Sequence, residues 1–259
     1  MDTRVDEIAD GIYRICTVLT DETLPGGFSV NQFLVLGEEP LLFHCGYREL
    51  FGSVSAAAAR VLPVRELRWI SFGHVEADEC GSMNHWLDAA PHAQVMQGAL
   101  GCDLSVRDMA DRPPRQLADG EVLDLGGKRI RLMDTPHVPH NWEAIVLYEE
   151  TTRTLLCGDL FTHVGDGPAL VERDPVGPAI DAEAMFHAHA LGPHLPRTLN
   201  RLAELEPATL ALMHGSSFTG AGGGALRSLA GAFQDQLLAE LGIPVHESGS
   251  ADPTGSYVP

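Results

Sequence analysis

Apolar and polar positions fall into two blocks of short alternating runs, each followed by stretches of helical period. "IYRICTVL" and "QFLVLGEEPLLFHCG" are rich in β-formers and broken by turn residues, which predicts short strands. "YRELFGSVSAAAARVL" predicts a helix stopped by Pro63. "LRWISF" (67–72) predicts a buried strand, "CGSMNHWLDAA" a helix and "AQVMQ" another short strand. After a polar, Pro-containing stretch, 117–137 shows two alternating strands around Gly-Gly, and 142–161 repeats the pattern around Thr-Thr-Arg. The segment 179–206 is predicted helical, and "TLALMHG" is a strand ending at His214. A last helix at 225–242 carries an apolar stripe at Leu226, Leu229, Phe233, Leu237 and Leu241. Strands in two blocks without strict βαβ alternation predict an α/β chain of two packed sheets with helices outside. Residues 1–245 form one domain in this reading, and 246–259, almost without apolar residues, form a flexible tail.

Composition narrows the classes. The formal net charge of −19, from 36 acidic and 17 basic residues, argues against a nucleic-acid or anionic-membrane surface. The N-terminus lacks an apolar signal core, and no apolar run reaches the length of a membrane span. The five cysteines are scattered and form no C-x-x-C pair, which fits reduced thiols in a cytoplasmic protein and offers no iron–sulfur ligand set.

The candidate chemistry sits just after predicted strands. His74 follows "WISF", His137 follows "IRLMDTP", Asp159 follows "TLLCG" and His214 follows "LALM". Around His74, the run "HVEADE" adds Glu76, Asp78 and Glu79. Groups at one edge of a sheet converge on one pocket. Three imidazoles (His74, His137, His214) and three carboxylates (Glu76, Asp78, Asp159), with Glu79 in reserve, are more than one ion uses, whereas two ions sharing a carboxylate would use them. Carboxylates beside imidazoles suit iron or manganese, while all-His or Cys-rich sets suit zinc. The loop "TPHVPH" offers His140 as well as His137.

These residues resemble the metallo-β-lactamase superfamily, an αββα sandwich whose usual metal motif is H-x-H-x-D-H. Glu76 departs from the hydrolases and is similar to the flavodiiron branch, with its H-x-E-x-D pattern and His-x-Pro motif. The resemblance implies one iron at His74, Glu76 and His137, a second at Asp78 and His214, and Asp159 as the bridge, with an oxo or hydroxo bridge between the irons. Zinc or manganese stay open as alternatives. Glu79 stands where the family has His, which leaves it open between a ligand of the second iron and an outer residue. The flavodiiron proteins carry a flavodoxin domain for which this chain has no room, so it looks like the stand-alone, flavin-free oxygen-binding members.

The remaining histidines read differently. His85 and His92 are expected at the surface. His163 is open between supporting a ligand and exposure, and "HAHALGPH" (187–194) is expected in a helix, at the surface or the pocket rim. His44, at a strand end where the superfamily commonly has Asp, is expected buried near the site. "GAGGGA" (220–225) resembles a dinucleotide fingerprint but lacks the βαβ unit, so it reads as a flexible loop.

Three functions compete. An oxygen-binding or oxidoreductase-type diiron protein comes first, taking O2 or another small diatomic such as NO and needing an external redox partner for turnover. A binuclear hydrolase of a lactone, thioester or phosphodiester is the alternative, with Asp78 orienting the attacking hydroxide and Glu79 as proton acceptor. A metal-binding signalling module comes third. A homodimer stays among the options, since the sequence decides no oligomeric state.

Overall fold

Successive residues of a strand point to opposite faces, so a strand can be apolar throughout only when both faces are covered. The central strands here are of that kind. The computed structural model describes residues 3–20 and 26–244; the tail expected at 246–259 lies outside the described residues. The first of its two sheets runs, in spatial order, β1 (Thr3–Ala9), β2 (Ile12–Leu19), β3 (Phe28–Val35), β4 (Leu41–Phe43), β5 (Trp69–Ser71), β6 (Gln94–Gly98) and β7 (Arg115–Leu117). β1 to β4 pair antiparallel, and β4 to β7 pair parallel.

The second sheet contains β8 (Val122–Asp124), β9 (Arg129–Asp134), β10 (Ile145–Glu149), β11 (Thr154–Leu156), β12 (Leu170–Val171), β13 (Thr209–Ala211) and β14 (Ser217–Thr219). Their spatial order is β12-β14-β13-β11-β10-β9-β8. β11 and β13 are parallel neighbours, which aligns their carboxyl ends.

Alternation along each strand sorts the core into three layers. Leu41 and Phe43 of β4 meet Leu132, Leu147 and Leu156 of the second sheet between the sheets, while Leu42 faces outward. Outside the first sheet, Leu42, Leu34 and Ile70 pack against Val54 of the helix Phe51–Ala58 and Trp86 of the helix Met83–Ala89. Outside the second, Val146, Leu155 and Leu210 pack against the helices His194–Ala203 and Gly222–Glu240. The result is the αββα sandwich of the sequence reading. Among the described residues no helix is long and apolar enough to cross a membrane.

Four details depart from the expectations. β1 went unpredicted because its sequence "TRVDEIA" is largely charged and sits at a sheet edge, where little of it is buried. The predicted helix at 179–206 is two helices, Val176–Phe186 and His194–Ala203, and "HAHALGPH" is mostly the loop between them. His187 closes the first helix in a left-handed conformation (φ 50°), and Pro193 holds the segment before it out of helix. "GAGGGA" is not a loop throughout, since the last helix begins at Gly222. A Cβ at Gly222 would lie 2.6 Å from the Pro207 carbonyl oxygen, and one at Gly223 would lie 2.8 Å from that of Ala203, so the glycines permit close packing on the preceding turn. The stripe of this helix is buried at Leu226, Leu229 and Phe233, but Leu241 lies beyond the helix and is 64% exposed.

Candidate metal centre

The potential ligands leave the sheets at one edge. His44 follows β4 directly, His74 lies just past β5, Asp159 past β11 and His214 past β13. The parallel pairing of β4 with β5 and of β11 with β13 sends these loops in a common direction. Residues after β9 add a further loop, Thr135–Asn141, from the same sheet.

Two groups of donors meet there. In the first, Nε2 of His74 lies 2.8 Å from Oε2 of Glu76 and 2.8 Å from Nε2 of His140, and His140 Nε2 lies 3.2 Å from the same Glu76 oxygen. Asp159 Oδ2 stands 3.6 Å from His74 Nε2 and 3.8 Å from His140 Nε2. In the second, His214 Nε2 lies 3.3 Å from Oδ2 of Asp78 and 3.3 Å from Oδ1 of Asp159. Asp159 therefore faces both groups, one oxygen to each.

Tautomers follow from the partners outside the site. His140 Nδ1 donates to the Ala188 carbonyl at 3.0 Å, and His214 Nδ1 donates to the Ser29 carbonyl at 2.8 Å. His74 Nδ1 faces Glu79 Oε1 at 3.2 Å. Each neutral ring then carries its lone pair on Nε2, pointing inward. Three lone pairs and three carboxylates face one another with no donor between them, and buried Asp78 Oδ1 and Asp159 Oδ1 have no hydrogen-bond partner. Such an arrangement is repulsive unless a cation or extra protons occupy it. The residues fit metal ions.

The electrostatics of the protein alone agree. Burial would lower the His74 pKa, but Glu79 and Glu76 outweigh it and push it up to about 12. His214 is likewise opposed by burial and raised to about 10 by Asp159 and Asp78. With protons rather than a cation at Nε2, hydrogen bonds from His140 and then His74 hold Glu76 down at about 2. Asp159, which burial would raise, is held well below the usual carboxylate range by His214 and the other imidazoles. The site attracts positive charge in whatever form is supplied.

Against the sequence reading, His74, Glu76, Asp78, Asp159 and His214 are gathered at the site, and His137 is not. His137 is exposed, at φ 62°, with its ring 5.7 Å from that of His194. The structure brings His140, rather than His137, together with His74, Glu76 and Asp159. The loop closes through His137 N–H to Asn141 O (2.8 Å) and Val138 N–H to Thr135 O (2.8 Å), and Val138 is buried in the core. That anchoring turns His137 outward and His140 inward. We expect His140→Ala to weaken metal binding at one position by on the order of a hundredfold, at least the cost of losing an outer partner. His137→Ala should leave it within about twofold of the unaltered protein by competition titration; equal losses in both variants would return His137 to the site.

Glu79 is fully buried behind His74 rather than among the inward-facing donors. His44 is also buried, with Nδ1 3.2 Å from the Asn31 carbonyl. His163 is buried, and its Nε2 accepts the Ser216 N–H at 3.0 Å, which braces the loop after His214. His85 and His92 are exposed.

Sequence reasoning missed Ser29 and Asn31 of β3. Ser29 Oγ accepts the Gly215 N–H at 2.6 Å, and Asn31 Nδ2 donates to the carbonyls of Leu212 (2.8 Å) and Gly215 (3.0 Å). The first sheet thereby holds the loop of the second that carries His214. The only signal in the sequence was polar residues inside an otherwise apolar strand. Phe28 completes the wall, stacking on His214 at 4.2 Å with 24° between the planes.

Residues 28–215 match the family described as "ODP family beta lactamase". A curated relative, the putative diflavin flavoprotein A 2 of Synechocystis sp., is 23% identical over 196 residues, 73% of this chain and 33% of that protein. The chain thus spans about a third of the curated relative's length. Among solved structures, the rubredoxin oxygen:oxidoreductase of Desulfovibrio gigas superposes with a TM-score of 0.77 at 21% identity, covering 90% of this chain and 62% of that one. A 1–254 fragment of the putative diflavin flavoprotein A 5 of Nostoc sp. gives 0.77 at 18% identity, covering 93% and 97%.

Proposed function

Because the chain belongs to the ODP family within the flavodiiron-like branch of the metallo-β-lactamase superfamily, we propose that it is a non-haem diiron protein that binds or reduces O2, with NO as a second diatomic. The observation that carries this reading is Asp159, whose two oxygens face the two donor groups. His74, Glu76 and His140 would hold one iron, Asp78 and His214 the other, and Asp159 both. When bound, two irons supply the redox change and the coordination positions for a small ligand.

The residues favour iron over a hydrolytic zinc pair. Glu76 in place of a neutral imidazole adds negative charge, which weakens a metal as a Lewis acid and stabilises its higher oxidation state. Three carboxylates offset most of the charge of two divalent ions. Phe28 over His214, with Phe186 edge-on to it at 5.8 Å, lines one side with apolar surface suited to an uncharged diatomic. Catalytic turnover would draw electrons from an external donor; the Desulfovibrio gigas neighbour is itself described as a rubredoxin oxygen:oxidoreductase.

Metal analysis and an anaerobic optical spectrum, taken before and after air, test the proposal. About two irons per chain and near-ultraviolet bands that appear on oxygenation are expected. About two zincs in a colourless, oxygen-indifferent protein would overturn it in favour of a binuclear hydrolase.

A further inference from the structure

Glu79 follows Asp78 in the short helix Ala77–Cys80, yet it faces away from the metal donors. Its Oε2 accepts the backbone N–H of His74 at 2.7 Å, and its Oε1 lies 3.2 Å from His74 Nδ1. One carboxylate thus binds the backbone N–H of His74 with one oxygen and faces the ring of the same residue with the other. Beyond it, Nε2 of His44 stands 3.6 Å from Glu79 Oε1, and both side chains are completely buried. His44 is held in turn by the Asn31 carbonyl and by Phe43, whose ring centroid is 4.1 Å away.

The backbone makes room for this carboxylate. A Cβ at Gly73 would lie 2.9 Å from Glu79 Oε2, and one at Gly158 would lie 3.6 Å from Oε1. These glycines immediately precede His74 and Asp159. A side chain at Gly73 would therefore crowd Glu79, whereas one at Gly158 would only reach ordinary contact with it.

We infer that Glu79 is a positioning residue, not a metal ligand: it fixes the His74 ring toward its metal, and His44 packs against the far side of the buried carboxylate. This rests on His74 being a ligand, as in the function proposed above. An imidazole that donates Nδ1–H to a carboxylate has its tautomer and orientation set and its Nε2 made more basic. His44 Nε2, 3.6 Å from Oε1 and beyond hydrogen-bond distance, closes the side of the carboxylate that His74 does not cover.

The test uses the full chain and Co2+ alone, read by competition titration and by the visible ligand-field spectrum. The unaltered protein is expected to bind two Co2+. Glu79→Gln keeps both positions but weakens one by about ten- to a hundredfold, with changed absorption for that ion only. His44→Gln weakens the same position by less. The double variant is no weaker than Glu79→Gln, because His44 acts through Glu79. Gly73→Ala, which keeps the carboxylate but displaces it, should weaken that position too, and covers the case in which Glu79→Gln fails to fold.

Unchanged affinity and spectrum in Glu79→Gln, or in Gly73→Ala if only that variant folds, would overturn the inference. So would weakening of the position that Asp78→Asn removes, since that would make Glu79 a ligand there. Additive losses in the double variant would remove His44 from it. An unaltered protein that binds no Co2+ would instead defeat the metal-site reading, and this inference with it.

Discussion

Asp159→Asn is expected to abolish tight binding at both metal positions, lowering metal content from about two ions per chain to below one, with affinities down by on the order of a hundredfold or more. The replacement keeps the shape of the side chain, so the effect is chemical. An amide offers one neutral oxygen where the carboxylate offers two anionic ones, and its nitrogen bears no lone pair for a cation. Oδ1 lies 3.3 Å from His214 Nε2 and Oδ2 lies 3.6 Å from His74 Nε2, so both donor groups lose a member at once. Outer partners of metal ligands are already worth ten- to a hundredfold in affinity, and a shared ligand should exceed that. Glu76→Gln is the control. Its oxygen faces only His74 and His140, so one position should fail and the other persist. Metal analysis after dialysis reads the difference. Retention of one full-strength ion in Asp159→Asn would mean that the carboxylate is not shared.

Strands and ligand order were legible in the sequence wherever the local pattern determined the outcome. Leu67, Trp69, Ile70 and Phe72 are apolar because both faces of β5 are covered, and His74 follows closely, so strand and candidate ligand could be read together. The same holds for Asp159 after β11 and His214 after β13. The third imidazole was different. His137 and His140 sit on one loop with the same composition around them, and the choice depends on how Asn141 and Thr135 close that loop. It also depends on a carbonyl at Ala188, in a segment whose sequence reads as helix. Glu79 was ambiguous for a similar reason. Residue type and spacing cannot tell a carboxylate facing a metal position from one turned back onto His74, and Gly73 becomes informative only once the space it leaves is seen.

Asn31→Ala should be among the most destabilising single changes in the chain, although Asn31 is absent from any motif. The residue is fully buried in β3, and its amide donates to two carbonyls on the loop between β13 and β14, Leu212 and Gly215, across 181 residues of sequence in the first case. Its backbone N–H also donates to Met213 O at 3.0 Å, and that bond survives the substitution. Truncation leaves the Leu212 carbonyl without a donor, worth about 1–3 kcal/mol, while Gly215 O keeps the Arg14 guanidinium at 3.1 Å, and it opens a small void that costs about 1 kcal/mol more. A loss of about 2–4 kcal/mol in urea unfolding of the metal-free protein is expected. Asn31→Leu separates the two causes, because it restores volume but not the donors and should remain nearly as unstable. The same bonds position the His214 loop, so metal affinity should fall at the position that Asp78 and His214 share and hold at the other. Wild-type stability in both variants would show that the Ser29 and Arg14 contacts and the Asn31 backbone bond hold this edge without the amide. A stability loss without any change in metal affinity would show that the His163 and Ser29 contacts suffice to hold His214.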